Sequence, residues 1–389
     1  MKIANRMENL SPSVTMAITA LARELKAQGK DILSFSAGEP DFDTPEIIKQ
    51  AAIKAINDGH TKYTAVEGII ATKQAIINKL KKDHGLEYKL DGIVISNGAK
   101  HSLFNLFQVL IEEGDEVIIP APYWVTYPEQ VKFSDGVPVF IETDDTTEFK
   151  ITPEQLKAVI TPKTKVLLLN TPSNPTGSVY SREELLAIGE VLKGTDILVF
   201  SDEMYEKIMY NGKKFTAAAE VSEDMYKRTV TINGLSKAVA MTGWRFGYIA
   251  TPDASLAKAL TKLQGQVTSN INTMTQYAAI PALEGDADET IEMMRVEFEK
   301  RKNYAVQAFN DIKGLSCVEP DGAFYLFVNI KNVTPDSMKF CADLLEEKGV
   351  ALVPGLAFGT EGYVRFSFAT DLETIKEGIK RVKEFVESK

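Results

Sequence analysis

The chain has 389 residues, of which 44% are hydrophobic and 25% charged, the balance of a folded globular protein too long for one ordinary core, so two units sharing a cleft are expected. A formal net charge of -10, with no Lys and Arg cluster interleaved with aromatics, argues against nucleic acid as a partner. Cys317, Cys341 and the histidines at 60, 84 and 101 show neither disulfide nor metal-ligand spacing, and no apolar run of about 18 residues marks a membrane span, so a cytoplasmic enzyme without structural metal is expected.

From residue 91 onward, short β-rich runs ending in Asn, Pro, Gly or Asp alternate with amphipathic stretches. That alternation builds a mostly parallel sheet covered by helices, the α/β class. Strands are expected at 93–96, 117–120, 137–141, 166–169, 197–201, 229–232 and 247–250. Between them, residues 100–112 place Leu103, Phe104, Leu106, Phe107 and Leu110 on one face, and 182–192 do the same with Leu185, Leu186, Ile188 and Leu192. Residues 288–309 read as one long helix joining two units. Beyond residue 320 the pattern changes to strands at 323–330 and 363–368 and helices at 337–347 and 372–388, a smaller α+β unit. The expected division is a large unit over 46–285 and a small one formed by 1–45 and 286–389.

In an open parallel sheet, ligands sit beyond the carboxyl ends of the strands, where helix N-termini present unpaired N–H groups. Beyond the first expected strand stand Asn97, Gly98, Ala99 and Lys100; beyond the second, Tyr123 and Trp124. Asn170 and Asn174 follow the fourth strand, Asp202 and Tyr205 the fifth, and Lys237 the sixth. Polar and aromatic groups thus converge on one rim. Singly, each has an ordinary use: a glycine before a helix is a common turn, a strand-end Asp is often a cap, most lysines are solvated and most tryptophans pack in cores.

Together they carry more. The segment Asn233-Gly234-Leu235-Ser236-Lys237, followed by Gly243-Trp244-Arg245-Phe246-Gly247, resembles the lysine region of the class I (fold-type I) pyridoxal-phosphate-dependent aminotransferases, of bacterial aspartate aminotransferase type. The segments from Asn170 to Gly177 and from Ser201 to Tyr205 resemble that family's other signatures, in the right order. Matches at 37–42, 62–64, 121–124 and 364–367 extend the resemblance over nearly the whole chain.

The resemblance implies pyridoxal 5'-phosphate as cofactor, bound covalently by the Lys237 amine, which also serves as the base that moves the substrate proton. A protonated ring nitrogen deepens the cofactor's electron sink, so an acid is needed beside it, and Asp202 has that role by resemblance. Tyr205 and Asn174 are implied at the ring's phenolic oxygen, Trp124 as a platform on the ring, and Arg245 with Gly98, Ala99, Lys100 and Ser236 around the phosphate. One departure stands out: the position three before the lysine, a phosphate-binding Ser in some relatives, is Gly234. Arg365 and Gly38 are implied at the substrate α-carboxylate, together with Trp124 and Asn174, and Tyr63 is implied to reach the phosphate of a second subunit in a homodimer.

Lys100, directly after the Gly98-Ala99 turn, can offer a positive charge to a distal carboxylate, and the resemblance implies that role for it with Ser13 and Thr15 as hydroxyl partners. The expected reaction is transfer of an amino group from an L-amino acid, aspartate above others, to 2-oxoglutarate by a ping-pong mechanism. Aromatic or prephenate transamination and C-S β-lyase chemistry remain open, because the same fold and cofactor serve both.

Overall fold

The computed structural model describes residues 3–389. Its centre is a seven-stranded sheet in the order Ile93–Asn97, Phe246–Ala250, Thr229–Gly234, Leu198–Asp202, Thr164–Asn170, Glu116–Ala121, Val137–Glu142. Apolar runs such as Ile93, Val94 and Ile95 are buried on both faces, as strands sandwiched between helix layers must be. All seven expected strands form, each within three residues of its expected ends.

Five strands run parallel, from the Thr229–Gly234 strand to the Val137–Glu142 edge. The Phe246–Ala250 strand runs antiparallel to both of its neighbours. The connection explains this. Only residues 235–245 separate it from Thr229–Gly234, with no more than the short helical turn Thr242–Trp244 between them, whereas a parallel return needs a crossover of a dozen residues or more, usually a helix. That short connection carries Lys237.

Helix Ala99–Leu110 lays Leu103, Leu106 and Phe107 fully into the core, on the face expected from the sequence. Helix Arg182–Leu192 is started by a capping box: the Ser181 hydroxyl accepts from the Glu184 N–H at 3.2 Å and the Glu184 carboxylate accepts from the Ser181 N–H at 2.7 Å. The sequence reading missed the helices Val14–Ala27, Glu46–Asn57 and Ile70–His84, which precede its first strand.

A second, antiparallel sheet has the order Val353–Pro354, Tyr363–Ser367, Tyr325–Asn329, Ser316–Cys317. Beside it, Leu33–Ser34 pairs in parallel with Val350–Ala351, which ties the start of the chain to its last hundred residues. Helix Asp288–Asn310 is continuous over 23 residues. One apolar core runs from Phe107 and Phe200 under the large sheet to Phe298, Phe324 and Phe366 against the small one. No helix among the described residues is long and apolar enough to cross a membrane.

Candidate active site

Asp202 ends the strand Leu198–Asp202 and is 4% exposed. Burial raises its pKa to about 6, and a hydrogen bond from the Tyr127 hydroxyl at 2.7 Å partly offsets that rise. Its register partner on the next strand is Asn170, whose Nδ2 donates to the Asp202 carbonyl at 3.1 Å and whose Oδ1 accepts from the Asn174 N–H at 2.8 Å. The loop carrying Asn174 is therefore fastened to the strand carrying Asp202.

Asn174 in turn accepts from Arg365 Nη1 at 3.0 Å, and Arg365 Nη2 donates to the Ser36 carbonyl at 2.7 Å. The guanidinium lies between two rings, 4.5 Å from the centre of Tyr325 and 5.0 Å from that of Phe358. Arg365 is 3% exposed and forms no ion pair among the described residues, and its Nε has no hydrogen-bond partner. A buried cation without an anion costs several kcal/mol, so this arrangement is built to receive an anionic group from outside the chain.

Lys237 projects from the short connection between antiparallel strands, and its amine donates to the Gly38 carbonyl. Burial lowers its pKa to about 8, with Glu39 opposing and Arg365 and Arg245 assisting. An amine titrating near neutral pH can both attack a carbonyl and carry a proton.

Gly98, with φ of 84°, precedes helix Ala99–Leu110. A Cβ there would stand 2.4 Å from Nη2 of Arg245, and one on Gly247 would stand 2.3 Å from the Ala99 nitrogen. These two glycines let Arg245 lie across the helix N-terminus, where its guanidinium donates to the carbonyls of Thr242 at 2.8 Å and Asn97 at 3.3 Å. A cation beside first-turn N–H groups suits a phosphate. The departure at Gly234 has a steric cause: a Cβ there would meet the Phe246 carbonyl oxygen at 2.5 Å, so no side chain fits, while Ser236 faces the cleft.

These groups line one cleft of about 500 Å³, together with Ser13, Thr15, Gly38, Ala99, Lys100, Trp124 and Tyr205. Lys100 Nζ sits 4.8 Å from the Trp124 ring centre and, among the described residues, pairs with no carboxylate. Desolvation and the Arg245 charge lower its pKa. The Ser13 and Thr15 hydroxyls share a 2.9 Å hydrogen bond. Two of the sequence-derived candidates do not line the cleft: Gly98, which lies behind the Arg245 guanidinium, and Tyr63, which is 89% exposed.

Residues 30–382 match the family model for aminotransferases of class I and II. The chain belongs to this aminotransferase family. It is 50% identical to an aspartate aminotransferase of Geobacillus stearothermophilus, over all of both chains. Among solved structures it is similar to an aspartate aminotransferase from Rhizobium meliloti, with a TM-score of 0.96 and 41% identity over 100% of this chain and 99% of that one. An aspartate aminotransferase from Thermus thermophilus with maleate gives a TM-score of 0.95 at 38% identity, over 99% of each chain.

Aminotransferases of this class depend on pyridoxal phosphate, which, when bound, supplies an electron sink for the pair left when the substrate Cα–H bond breaks. The donor set fits it. A buried acid stands where a ring nitrogen could protonate, an amine of lowered pKa can take the aldehyde, and a glycine-lined cation at a helix start can take the phosphate.

Three participants escaped the aminotransferase motifs. Tyr127 bonds Asp202, the Ser36 carbonyl holds Arg365, and the Tyr325 hydroxyl lies 2.8 Å from that of Tyr205. Only Tyr127 had a weak signal, three residues after Trp124 on the helix Thr126–Phe133. Away from the cleft, Asp83, His84 and Glu206 cluster as metal ligands can, but the Lys79 ammonium lies between the two acids, against Glu206 and 3.3 Å from Asp83. A cation already serves them.

Proposed function

We propose that this enzyme is an aspartate aminotransferase that passes the amino group of L-aspartate to 2-oxoglutarate by a ping-pong mechanism. The observation that carries the reading is a pair of cations without anions: Arg365 and Lys100 line the same cleft, and neither has a carboxylate partner among the described residues. A dicarboxylate supplies both partners at once, and an amino acid with one carboxylate supplies one. The relatives named aspartate aminotransferases, one of them solved with the dicarboxylate maleate, support the same substrate class.

In this reading Arg365 takes the α-carboxylate in a bidentate fork, with Gly38 beside it, and Lys100 takes the distal carboxylate with help from Ser13 and Thr15. Asp202 would stand at the cofactor's ring nitrogen and favour a proton there. Tyr205 and Asn174 would hold its phenolic oxygen, and Trp124 would cover its ring. Arg245, Ser236 and the helix start at Gly98, Ala99 and Lys100 would hold its phosphate. The Lys237 amine would hold its aldehyde carbon and, as a base, would take the proton from the substrate Cα. Residues 46–285 form the large unit, and 1–45 with 286–389 form the small unit that closes over the substrate. The enzyme works in the cytoplasm as a homodimer, with the exposed Tyr63 reaching the second subunit's phosphate.

The test is the absorption spectrum of the purified enzyme on adding L-aspartate and then 2-oxoglutarate, beside Lys237→Ala. Conversion of the cofactor band by aspartate and its return with 2-oxoglutarate is the expected result. A band that ignores aspartate but converts with phenylalanine or prephenate-derived amino acid replaces the substrate assignment. Pyruvate released from cystathionine without band conversion replaces transamination by β-elimination.

A further inference from the structure

Tyr325 is the first residue of the strand Tyr325–Asn329 and is 1% exposed. It touches three groups on different elements. Its hydroxyl is 2.8 Å from the Tyr205 hydroxyl, on the turn after the Asp202 strand. Its ring carries the Arg365 guanidinium at 4.5 Å. Its hydroxyl also stands where a Cβ on Gly38 would fall, 2.9 Å away, so Gly38 can approach only because it has no side chain. No other aromatic residue contacts both Tyr205 and Arg365 in this way among the described residues.

A phenol has one proton to donate. If Tyr205 donates to the phenolic oxygen of the cofactor, its own oxygen is left to accept, and among the described residues the only side chain within hydrogen-bond distance of it is Tyr325. Tyr325 can donate there: burial raises its pKa, and the Arg365 charge over its ring and the hydrogen bond with Tyr205 oppose that rise without cancelling it. Donation into Tyr205 polarises the Tyr205 hydroxyl and strengthens its own donation.

We propose that Tyr325 is a positioning residue that links the carboxylate clamp to the cofactor: its ring seats Arg365, and its hydroxyl makes Tyr205 a stronger donor to the phenolic oxygen. The inference rests on the reading of Arg365 as the clamp and of Tyr205 as that donor. A donor at the phenolic oxygen stabilises negative charge there, so the proton shared between that oxygen and the Lys237 nitrogen leaves at lower pH. Weakening the donor moves that pH upward. A substrate carboxylate that neutralises Arg365 removes the field acting on Tyr325 and transmits its arrival along the same chain of two phenols.

The experiment is a pH titration of the cofactor's visible band in the holoenzyme, with and without maleate, for wild type, Tyr325→Phe, Tyr325→Leu and Tyr205→Phe, each paired with KM for aspartate. Tyr325→Phe keeps the ring under Arg365 and loses the hydroxyl: the midpoint is expected to rise by roughly 0.5 pH unit with KM unchanged, and the extra shift caused by maleate to shrink. Tyr325→Leu loses both, and KM is expected to rise roughly tenfold as well. A midpoint that moves in Tyr205→Phe but stays at the wild-type value in Tyr325→Phe overturns the inference alone. A midpoint unmoved in Tyr205→Phe removes Tyr205 from the phenolic oxygen, and the inference falls with that assignment. Unchanged KM in Tyr325→Leu overturns the seating of Arg365.

Discussion

The Tyr127 hydroxyl donates a 2.7 Å hydrogen bond to Oδ2 of Asp202, and it is the only side-chain hydrogen bond that this buried carboxylate receives among the described residues. Burial pushes the acid toward neutrality and Tyr127 pulls it back toward the charged form. Tyr127 therefore sets how readily Asp202 stays anionic at the floor of the cleft.

Tyr127→Phe removes that donor with almost no change of volume. The acidic limb of the kcat profile is expected to move to higher pH, because Asp202 then protonates more easily, while KM for aspartate stays constant. A loss of roughly 1–2 kcal/mol in unfolding free energy accompanies it. An unshifted acidic limb shows that Asp202 does not depend on Tyr127.

Lys100→Met keeps the length of the side chain and removes its charge. With the distal carboxylate unpaired, kcat/KM for aspartate is expected to fall roughly 30-fold while that for alanine changes less than about threefold. Equal losses for both amino acids remove Lys100 from substrate selection.

Gly98→Ala places a methyl group 2.4 Å from Arg245 Nη2, at a residue with φ of 84°. Either Arg245 or the helix start must move. Cofactor affinity, followed by ultrafiltration of the holoenzyme, is expected to weaken roughly tenfold or more, with the melting temperature of the apoprotein reduced by only a few degrees. Undiminished cofactor retention separates the phosphate site from Arg245.

His84 sets a pH dependence of stability distant from the chemistry. Burial by itself lowers its pKa, but a hydrogen bond to Glu206 at 2.7 Å and the Glu220 carboxylate 3.3 Å from Nδ1 outweigh that and raise it to about 9. A group whose pKa is higher folded than unfolded contributes stability that is complete below its unfolded pKa, near 6.5, and is lost as pH rises through the folded value. Unfolding free energy is therefore expected to fall by on the order of 3 kcal/mol between about pH 6.5 and 9, and His84→Gln to flatten that slope. A slope unchanged in the variant assigns the effect elsewhere.

Much of the fold was legible because strand and helix patterns are local. The runs around Val94, Ile118, Leu168, Phe200 and Ile232 announce strands by composition, and Leu185, Ile188 and Leu192 announce the helix Arg182–Leu192 by their spacing. The helices before residue 91 were missed although Glu46–Asn57 turns a regular face of Ile48, Ala52 and Ala55 inward, because no run of expected strands flanks them to set up the alternation by which the later helices were read.

The sequence by itself determined the alternation of elements, the family and the order in which Asn174, Asp202, Lys237, Arg245 and Arg365 follow along the chain, since each is carried by a short segment whose residue types chemistry restricts. Only the tertiary structure decided which groups meet. Tyr127 and Asp202 are 75 residues apart, Tyr205 and Tyr325 are 120 apart, and Asn174 and Arg365 are 191 apart. No local pattern records such a pairing, because a hydrogen bond or a ring face depends on distances of a few ångströms that arise when strands and loops pack. The same holds for charge. Arg365 and Lys79 are both buried cations, yet Lys79 lies against Glu206 while Arg365 has no anion of its own among the described residues. That difference separates a structural ion pair from a binding site, and it exists only in three dimensions.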